Sequence, residues 1–134
     1  MTDTIPGDAR QPVLVASGVS RRFREGPATL EVLRGLDFSV AAGERVAVVG
    51  ASGSGKTTLL QIIGGLDRPT SGRVEIAGQD IHALGESARG SLRNRTLGFI
   101  YQFHHLLPEF SALENVAMAL LVRRMAVSEA RERA

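Results

Sequence analysis

The sequence contains no cysteine, one lysine among its 16 basic residues, and no apolar run near the length of a membrane span. Without cysteine the chain can form neither a disulfide framework nor a thiolate metal site. A helix that crosses a bilayer needs about 20 consecutive apolar residues, so a role at a membrane would have to come through a partner. Residues 1–12 lack the apolar core of a secretory signal. We predict that they form a disordered lead-in to a cytosolic domain.

The sequence also has little excess of one charge sign over the other. The net charge is only +2, and no run of basic residues is longer than two. We interpret Arg21-Arg22 and Arg123-Arg124 as solvated surface residues, so nucleic acid is not an expected partner. The 134 residues, of which 43% are hydrophobic, are enough for one domain with a buried core.

The most informative stretch is Gly50-Ala51-Ser52-Gly53-Ser54-Gly55-Lys56-Thr57, which fits the phosphate-binding pattern G-x-x-x-x-G-K-[ST]. The apolar run Val46–Val49 before it predicts a buried strand, and Thr58–Ile63 after it predicts a helix. This order of strand, loop and helix is the context that the pattern requires. A Gly/Ser-rich turn with a solvated lysine is the simpler alternative, and it would not need that context.

The chemistry of a polyphosphate explains the residue types in this loop. Glycines let successive backbone N–H groups turn towards an anion, and the N-terminus of the following helix adds further donors and a positive dipole end. Lys56 can reach the β- and γ-phosphates, and the hydroxyl of Thr57 can bind Mg²⁺. Lys56 is also the only lysine in the chain, at a position where a compact ammonium suits phosphate better than the planar fork of arginine.

Hydrophobic patterns predict a β-rich first third and a mixed remainder. Before the loop we predict strands over 13–24 and 36–40. After it we predict a strand at Arg73–Ala77, a polar helix at Ser87–Arg95 and an apolar strand at Leu97–Tyr101. Ser111 and Glu114 match a capping box that opens a helix from Leu113 to about Met125, and Ser128 is predicted to cap a last helix. In the first of these two helices an apolar set is predicted to pack in a core rather than on a membrane: Leu113, Val116, Ala117, Leu120 and Leu121.

Three further segments resemble the ATP-binding domains of ABC transporters. Gln102 ends a predicted strand after the phosphate loop, as the Q-loop glutamine of that family does. Gly64–Gly72 is similar to the family segment G-L-x-x-P-T-x-G, and Val32–Glu44 to the family's entry into the phosphate loop. The resemblance runs from about Val13 to the last residue. Leu97–Met118 resembles a narrower group within that family, the LolD ATP-binding subunits of lipoprotein-releasing LolCDE systems.

The resemblance implies a fold and a set of roles. The fold would be an α/β P-loop NTPase core with an N-terminal antiparallel β subdomain, of which residues 13–134 are the N-terminal part, truncated before the Walker B motif. Lys56 and Gln102 would act in catalysis, and Thr57 and Gln102 at Mg²⁺. The adenine of ATP would contact Phe23. The rest of the ATP site would be the phosphate loop, formed by Gly50, Ser52, Gly53, Ser54, Gly55, Lys56, Thr57 and Thr58.

Phe23 and the pair His104-His105 each have an alternative interpretation. Phe23 could be a core residue on a strand, because aromatic side chains mostly serve as hydrophobic bulk. His104-His105 could suggest a metal, but adjacent strand residues point apart and no other ligand cluster exists. The family resemblance instead places this pair near a membrane-spanning subunit similar to LolC or LolE. The implied partners are that subunit and a second copy of the ATPase subunit. The implied location is the cytoplasmic face of the inner membrane.

The sequence also lacks parts that such an ATPase uses. No aspartate follows Asp80, and the later glutamates do not end an apolar strand, so Walker B is missing, as is the signature L-S-G-G-x. We therefore expect these 134 residues to bind nucleotide phosphates and to hydrolyse ATP negligibly by themselves. The alternatives are a non-catalytic nucleotide- or partner-binding module and the ATPase of a related export or cell-division ABC system. A P-loop kinase or GTPase would leave the Gln102 segment unexplained.

Overall fold

A computed structural model describes residues 11–103 and 105–134. Its chain divides into two compact units, residues 1–89 and 90–134, which are described separately. The predicted lead-in lies mostly outside the described residues, and the first strand already begins at Pro12. The strands are β1 Pro12–Glu25, β2 Ala28–Ala41, β3 Ser71–Ile76 and β4 Gln79–Asp80, and the helices are α1 Lys56–Ile63, α2 Glu86–Thr96, α3 Ala112–Val122 and α4 Val127–Arg133.

The first unit is built on an antiparallel sheet with the strand order β2-β1-β3-β4. β1 and β2 form a long hairpin that turns at Gly26, whose positive φ of 60° suits glycine. β3 pairs with the other edge of β1, so that Ala16 lies opposite both Phe38 and Val74. The predicted β-rich N-terminal third and the strand near Arg73 are thus confirmed.

The core of the first unit joins the sheet to α1. Leu59 and Ile62, one helical turn apart, are buried on α1 because an amphipathic helix places such positions on one face. The sheet contributes buried aliphatic side chains from β1, β2 and β3, which are Ala16, Val19, Leu33, Val74 and Ile76. Ile81, directly after β4, is also buried. Both the sheet and the helix that begins at Lys56 therefore contribute buried residues to the core.

The strands predicted at Val46–Val49 and Leu97–Tyr101 are not observed. Residues 44–50 and 97–101 have no ladder partner among the described residues, and their apolar side chains are largely exposed, Val49 at 66% and Ile100 completely. The prediction that Val46–Val49 is a buried strand is therefore wrong for this chain. A strand exists only with a hydrogen-bonded neighbour, and the antiparallel sheet supplies none to these two segments.

In the second unit the capping box at the start of α3 is confirmed. The Glu114 N–H donates to Ser111 Oγ at 3.2 Å, and the Ser111 N–H donates to Glu114 Oε1 at 3.2 Å. The hydrogen bond from Ser111 lowers the pKa of Glu114, because it stabilises the charged carboxylate. The sequence pattern alone located this helix start correctly.

Two predictions in this unit are wrong. α4 begins two residues earlier than expected, with Ala126 rather than Ser128 before its first turn, and buried Ala130 anchors it. On α3, Ala117 is buried, but Val116 is 59% exposed and Leu113 is also exposed. Ala117 is therefore the buried residue of α3, and part of the predicted core face is exposed. No described helix is long and apolar enough to cross a membrane.

Candidate functional site

The glycine-rich loop makes a tight turn directly before α1. The Ser54 N–H donates to the Ala51 carbonyl at 3.1 Å, and Gly53 and Gly55 have positive φ values of 78° and 95°. Gly55 is the N-cap of α1, and the first helical bond runs from the Leu59 N–H to its carbonyl at 2.9 Å. The sequence motif thus forms a turn that leads directly into α1.

Gly55 is required by space as well as by backbone conformation. A Cβ on Gly55 would lie 2.7 Å from Cγ1 of Val32, closer than real Cβ atoms approach, and 3.2 Å from the Val32 carbonyl oxygen, which is a tight contact. A Cβ on Gly50 would lie 2.6 Å from Ser54 Oγ. By contrast, nothing lies within 4 Å of a Cβ built on Gly53. The loop is therefore seated against β2 at Gly55 and open at Gly53.

Lys56 reaches back across the loop that precedes it. Its Nζ donates to the Gly50 carbonyl at 2.6 Å and to the Ala51 carbonyl at 2.8 Å. An ammonium has three N–H donors, so these bonds leave one donor and hold the positive charge at the loop. The side chain is half-buried, which strengthens its attraction for an anion relative to a fully solvated lysine.

The residues around this charge fit a phosphate group and, with it, Mg²⁺. The first N–H groups of α1 have no intrahelical acceptor, its first turn carries no acidic residue, and the dipole favours an anion there. Thr57 is exposed and Thr58 is half-buried in this turn. The described residues contain no group of three or more His, Cys, Asp or Glu able to hold a metal. An Mg²⁺ ion at this loop would be bound by phosphate oxygens, with the Thr57 hydroxyl available as a ligand.

Phe23 lies on β1 in the same unit, opposite Leu30 of β2. Its ring is half-buried, and the guanidinium carbon of Arg21 lies 4.6 Å from the ring centroid. Arg21 also pairs with Asp67, with 3.2 Å between its NH2 and Asp67 Oδ2. One ring face is therefore already occupied, and a nucleotide base could stack only on the other.

Gln102 belongs to the second unit, where it is exposed in a bend. Before it, the rings of Phe99 and Tyr101 stack at 5.9 Å, and Tyr101 meets His105 edge to face at 4.8 Å. His104 lies outside the described residues. Around Gln102 large apolar side chains are exposed: Ile100, Phe103, Leu106, Leu107 and Phe110.

Asn115 holds the loop that follows Gln102, a role that the sequence did not reveal. Its Oδ1 accepts from the Leu107 N–H at 2.8 Å, and its Nδ2 donates to the carbonyls of Leu107, Phe110 and Ser111 at 2.9 to 3.2 Å. An asparagine in the first turn of a helix can reach back to the preceding loop, and this is the signal that could have located it. The Arg21–Asp67 pair was missed as well.

Known proteins match most of this chain. The sequence profile described as "ABC transporter" matches residues 33–134, most of the chain. The chain belongs to the ABC transporter family. Two solved structures of the ATP-binding cassette MJ0796, one of them bound to ADP and Pi, share its fold at TM-scores of 0.82 and 0.83, with 33% identity over 90% of this chain and 53% of theirs. The predicted cassette fold with an antiparallel β subdomain is confirmed.

Curated relatives narrow the position within the ABC transporter family. The chain is 62% identical over 122 residues to the lipoprotein-releasing system ATP-binding protein LolD of Chromohalobacter salexigens, covering 91% of this chain and 52% of that protein. It is 59% identical to LolD of Pseudomonas syringae pv. tomato, covering 91% of this chain and 54% of that protein. The chain thus spans about half the length of the curated relatives it matches. The expected resemblance to LolD is confirmed.

Proposed function

We propose that this chain is the nucleotide-binding part of the ATPase subunit of a lipoprotein-releasing ABC transporter. The observation that carries the proposal is the Lys56 ammonium held at a glycine turn ahead of α1, in a chain 62% identical to a LolD protein. A polyphosphate matches this loop in charge and in its need for backbone donors.

Each site residue has a proposed task. The N–H groups of residues 52–58 bind the phosphates, Lys56 neutralises the β- and γ-phosphates, and the Thr57 hydroxyl binds Mg²⁺. Phe23 stacks on the adenine. Mg·ATP, when bound, supplies the phosphoryl group whose transfer to water releases energy. Gln102, with an amide that can both accept and donate, is proposed to orient that water and to contact Mg²⁺.

The exposed side chains around Gln102 support a membrane-spanning subunit as the partner. Isolated apolar residues on a surface are ordinary, but a contiguous exposed group indicates an interaction site. The exposed apolar residues follow one another along the segment that Asn115 fixes at Leu107, and they are Ile100, Phe103, Leu106, Leu107 and Phe110. We propose that it docks on subunits similar to LolC and LolE at the cytoplasmic face of the inner membrane, and that a second copy of the ATPase subunit completes the nucleotide site.

Hydrolysis requires more than these residues. Phosphoryl transfer depends on positioning and charge stabilisation, and the sequence has no aspartate after Asp80 to serve the Mg²⁺ shell. We therefore propose that the 134 residues alone bind Mg·ATP without sustained turnover.

The experiment replaces Lys56 by alanine in the source cells and follows lipoproteins in the inner and outer membranes. We expect lipoproteins to accumulate in the inner membrane, because the phosphate charge is no longer neutralised. Arg45→Ala, which removes an exposed basic residue close in sequence to the loop, is the matched control and is expected to leave release unchanged. Normal release by the Lys56→Ala cells would contradict the proposal.

A further inference from the structure

Arg21 links the ring of Phe23 to the segment that follows α1. Arg21 and Phe23 are two positions apart on β1 and so lie on the same face of the sheet. The guanidinium covers the ring at 4.6 Å from its centroid and pairs with Asp67 at 3.2 Å. The two charged side chains are only 24% and 32% exposed, so water screens the pair less than it screens a surface ion pair.

Backbone contacts fasten the same segment to β1 on both sides of Arg21. The Thr70 N–H donates to the Ser20 carbonyl at 2.8 Å, and the Arg22 N–H donates to Thr70 Oγ1 at 2.9 Å. These bonds hold the segment that carries Asp67 beside the strand that carries Arg21. The Nε of Arg21 is buried without a hydrogen-bond partner in the described residues, so the ion pair and the ring are the contacts that hold this guanidinium.

The segment continues directly into the helix of the phosphate loop. The N–H groups of Leu66 and Asp67 both donate to the Gln61 carbonyl, at 2.8 Å and 3.2 Å, and Gln61 lies on α1, which begins at Lys56. A continuous series of contacts therefore runs from the Phe23 ring through Arg21 and Asp67 to α1. It fixes the ring relative to the helix that carries the phosphate-binding lysine.

We infer that Arg21 is a positioning residue that, held by Asp67, sets Phe23 as a stacking platform for the base of the bound nucleotide. The inference rests on the proposed function, because it needs a nucleotide in the loop. The guanidinium occupies one face of the ring, so the base would stack on the opposite face. Its positive charge also draws electron density from the ring, which favours offset stacking on an electron-rich purine.

The test compares a ligand that has a base with one that does not. Binding of Mg·ATP and of Mg·tripolyphosphate is measured calorimetrically on the full chain and on Arg21→Met, which keeps the length of the side chain and removes its charge. We expect Mg·ATP to bind about three- to tenfold more weakly to Arg21→Met, with tripolyphosphate affinity unchanged. Arg24→Met, an exposed arginine on the same strand, is the matched control and is expected to change neither affinity.

Two additions separate positioning from a general structural role. Arg21→Lys, which keeps the cation, is expected to recover part of the lost ATP affinity. The triphosphate of 2-aminopurine riboside, whose fluorescence falls on stacking, is expected to be quenched less by Arg21→Met than by the unaltered chain. If Arg21→Met does not fold, Asp67→Asn weakens the same ion pair and is expected to shift the ratio of the two affinities in the same direction.

The outcomes are distinct. Equal losses for ATP and tripolyphosphate, or an unchanged ratio in both Arg21→Met and Asp67→Asn, would overturn the inference and leave the proposed function standing. Failure of the unaltered chain to bind either ligand would overturn the proposed function, and the inference with it. A selective loss of ATP affinity with partial recovery by Arg21→Lys would support both.

Discussion

Replacing Gly55 by alanine is expected to destabilise the chain far more than the same change at Gly53. Gly55 has a φ of 95°, which costs a residue with a Cβ about 1–2 kcal/mol. The new Cβ would also lie 2.7 Å from Val32 Cγ1, and relieving such an overlap costs about 1–3 kcal/mol. We therefore expect Gly55→Ala to lower the free energy of unfolding by about 2–5 kcal/mol.

Gly53 provides the matched control. Its φ of 78° is also positive, but no atom lies within 4 Å of a built Cβ, so only the conformational cost of about 1–2 kcal/mol applies. Urea unfolding followed by circular dichroism measures both variants. The second change Val32→Ala should recover part of the Gly55→Ala loss, because it removes the overlapping methyl group. Equal destabilisation by Gly53→Ala and Gly55→Ala would refute the claim that the loop is seated on β2.

Two further predictions concern stability. Burial lowers the pKa of His82 below its usual 6.5 and outweighs the contact between its Nε2 and the Ile62 carbonyl at 3.0 Å, which favours the protonated ring. The folded chain therefore prefers neutral imidazole, so the free energy of unfolding should be highest above pH 6.5 and fall as the pH drops below it. His82→Phe should remove that slope in urea titrations, and an unaltered slope would contradict the assignment. Asn115→Ala should lower the free energy of unfolding by about 1 kcal/mol, and Asn115→Asp should lower it further at pH 7 because a carboxylate would face three carbonyls. Thermal unfolding ranks the two variants, and the reverse order would contradict the contacts described for Asn115.

Local signals in the sequence located the features that depend on neighbouring residues. The capping box at Ser111 and Glu114 is a contact between residues three apart, and the structure forms it as predicted. The glycine loop likewise precedes a helix that begins at Lys56, since positive φ values and helix initiation are properties of a few consecutive residues. Local patterns also predicted strands over 13–24 and 36–40, and the structure extends them into the hairpin of β1 and β2.

Features that depend on distant partners could not be predicted in this way. Val46–Val49 has the composition of a buried strand, but whether it pairs depends on another segment, and none of the described residues supplies one. The start of α4 was misplaced because burial of Ala130, rather than a capping side chain, fixes it. The link between Arg21 and Asp67 joins residues far apart in the sequence, and no local pattern marks either of them as part of a site.

The claim that residues 50–58 form a nucleotide-phosphate site is tested most directly by calorimetric titration of Mg·ATP. The chain is compared with Lys56→Ala and with the control Arg45→Ala. We predict saturable binding to the unaltered chain and to Arg45→Ala, and an affinity at least about tenfold weaker for Lys56→Ala, equivalent to about 1.4 kcal/mol. Equal affinities for Lys56→Ala and the unaltered chain would contradict the account, because the nucleotide would then be held without the charge that the loop positions.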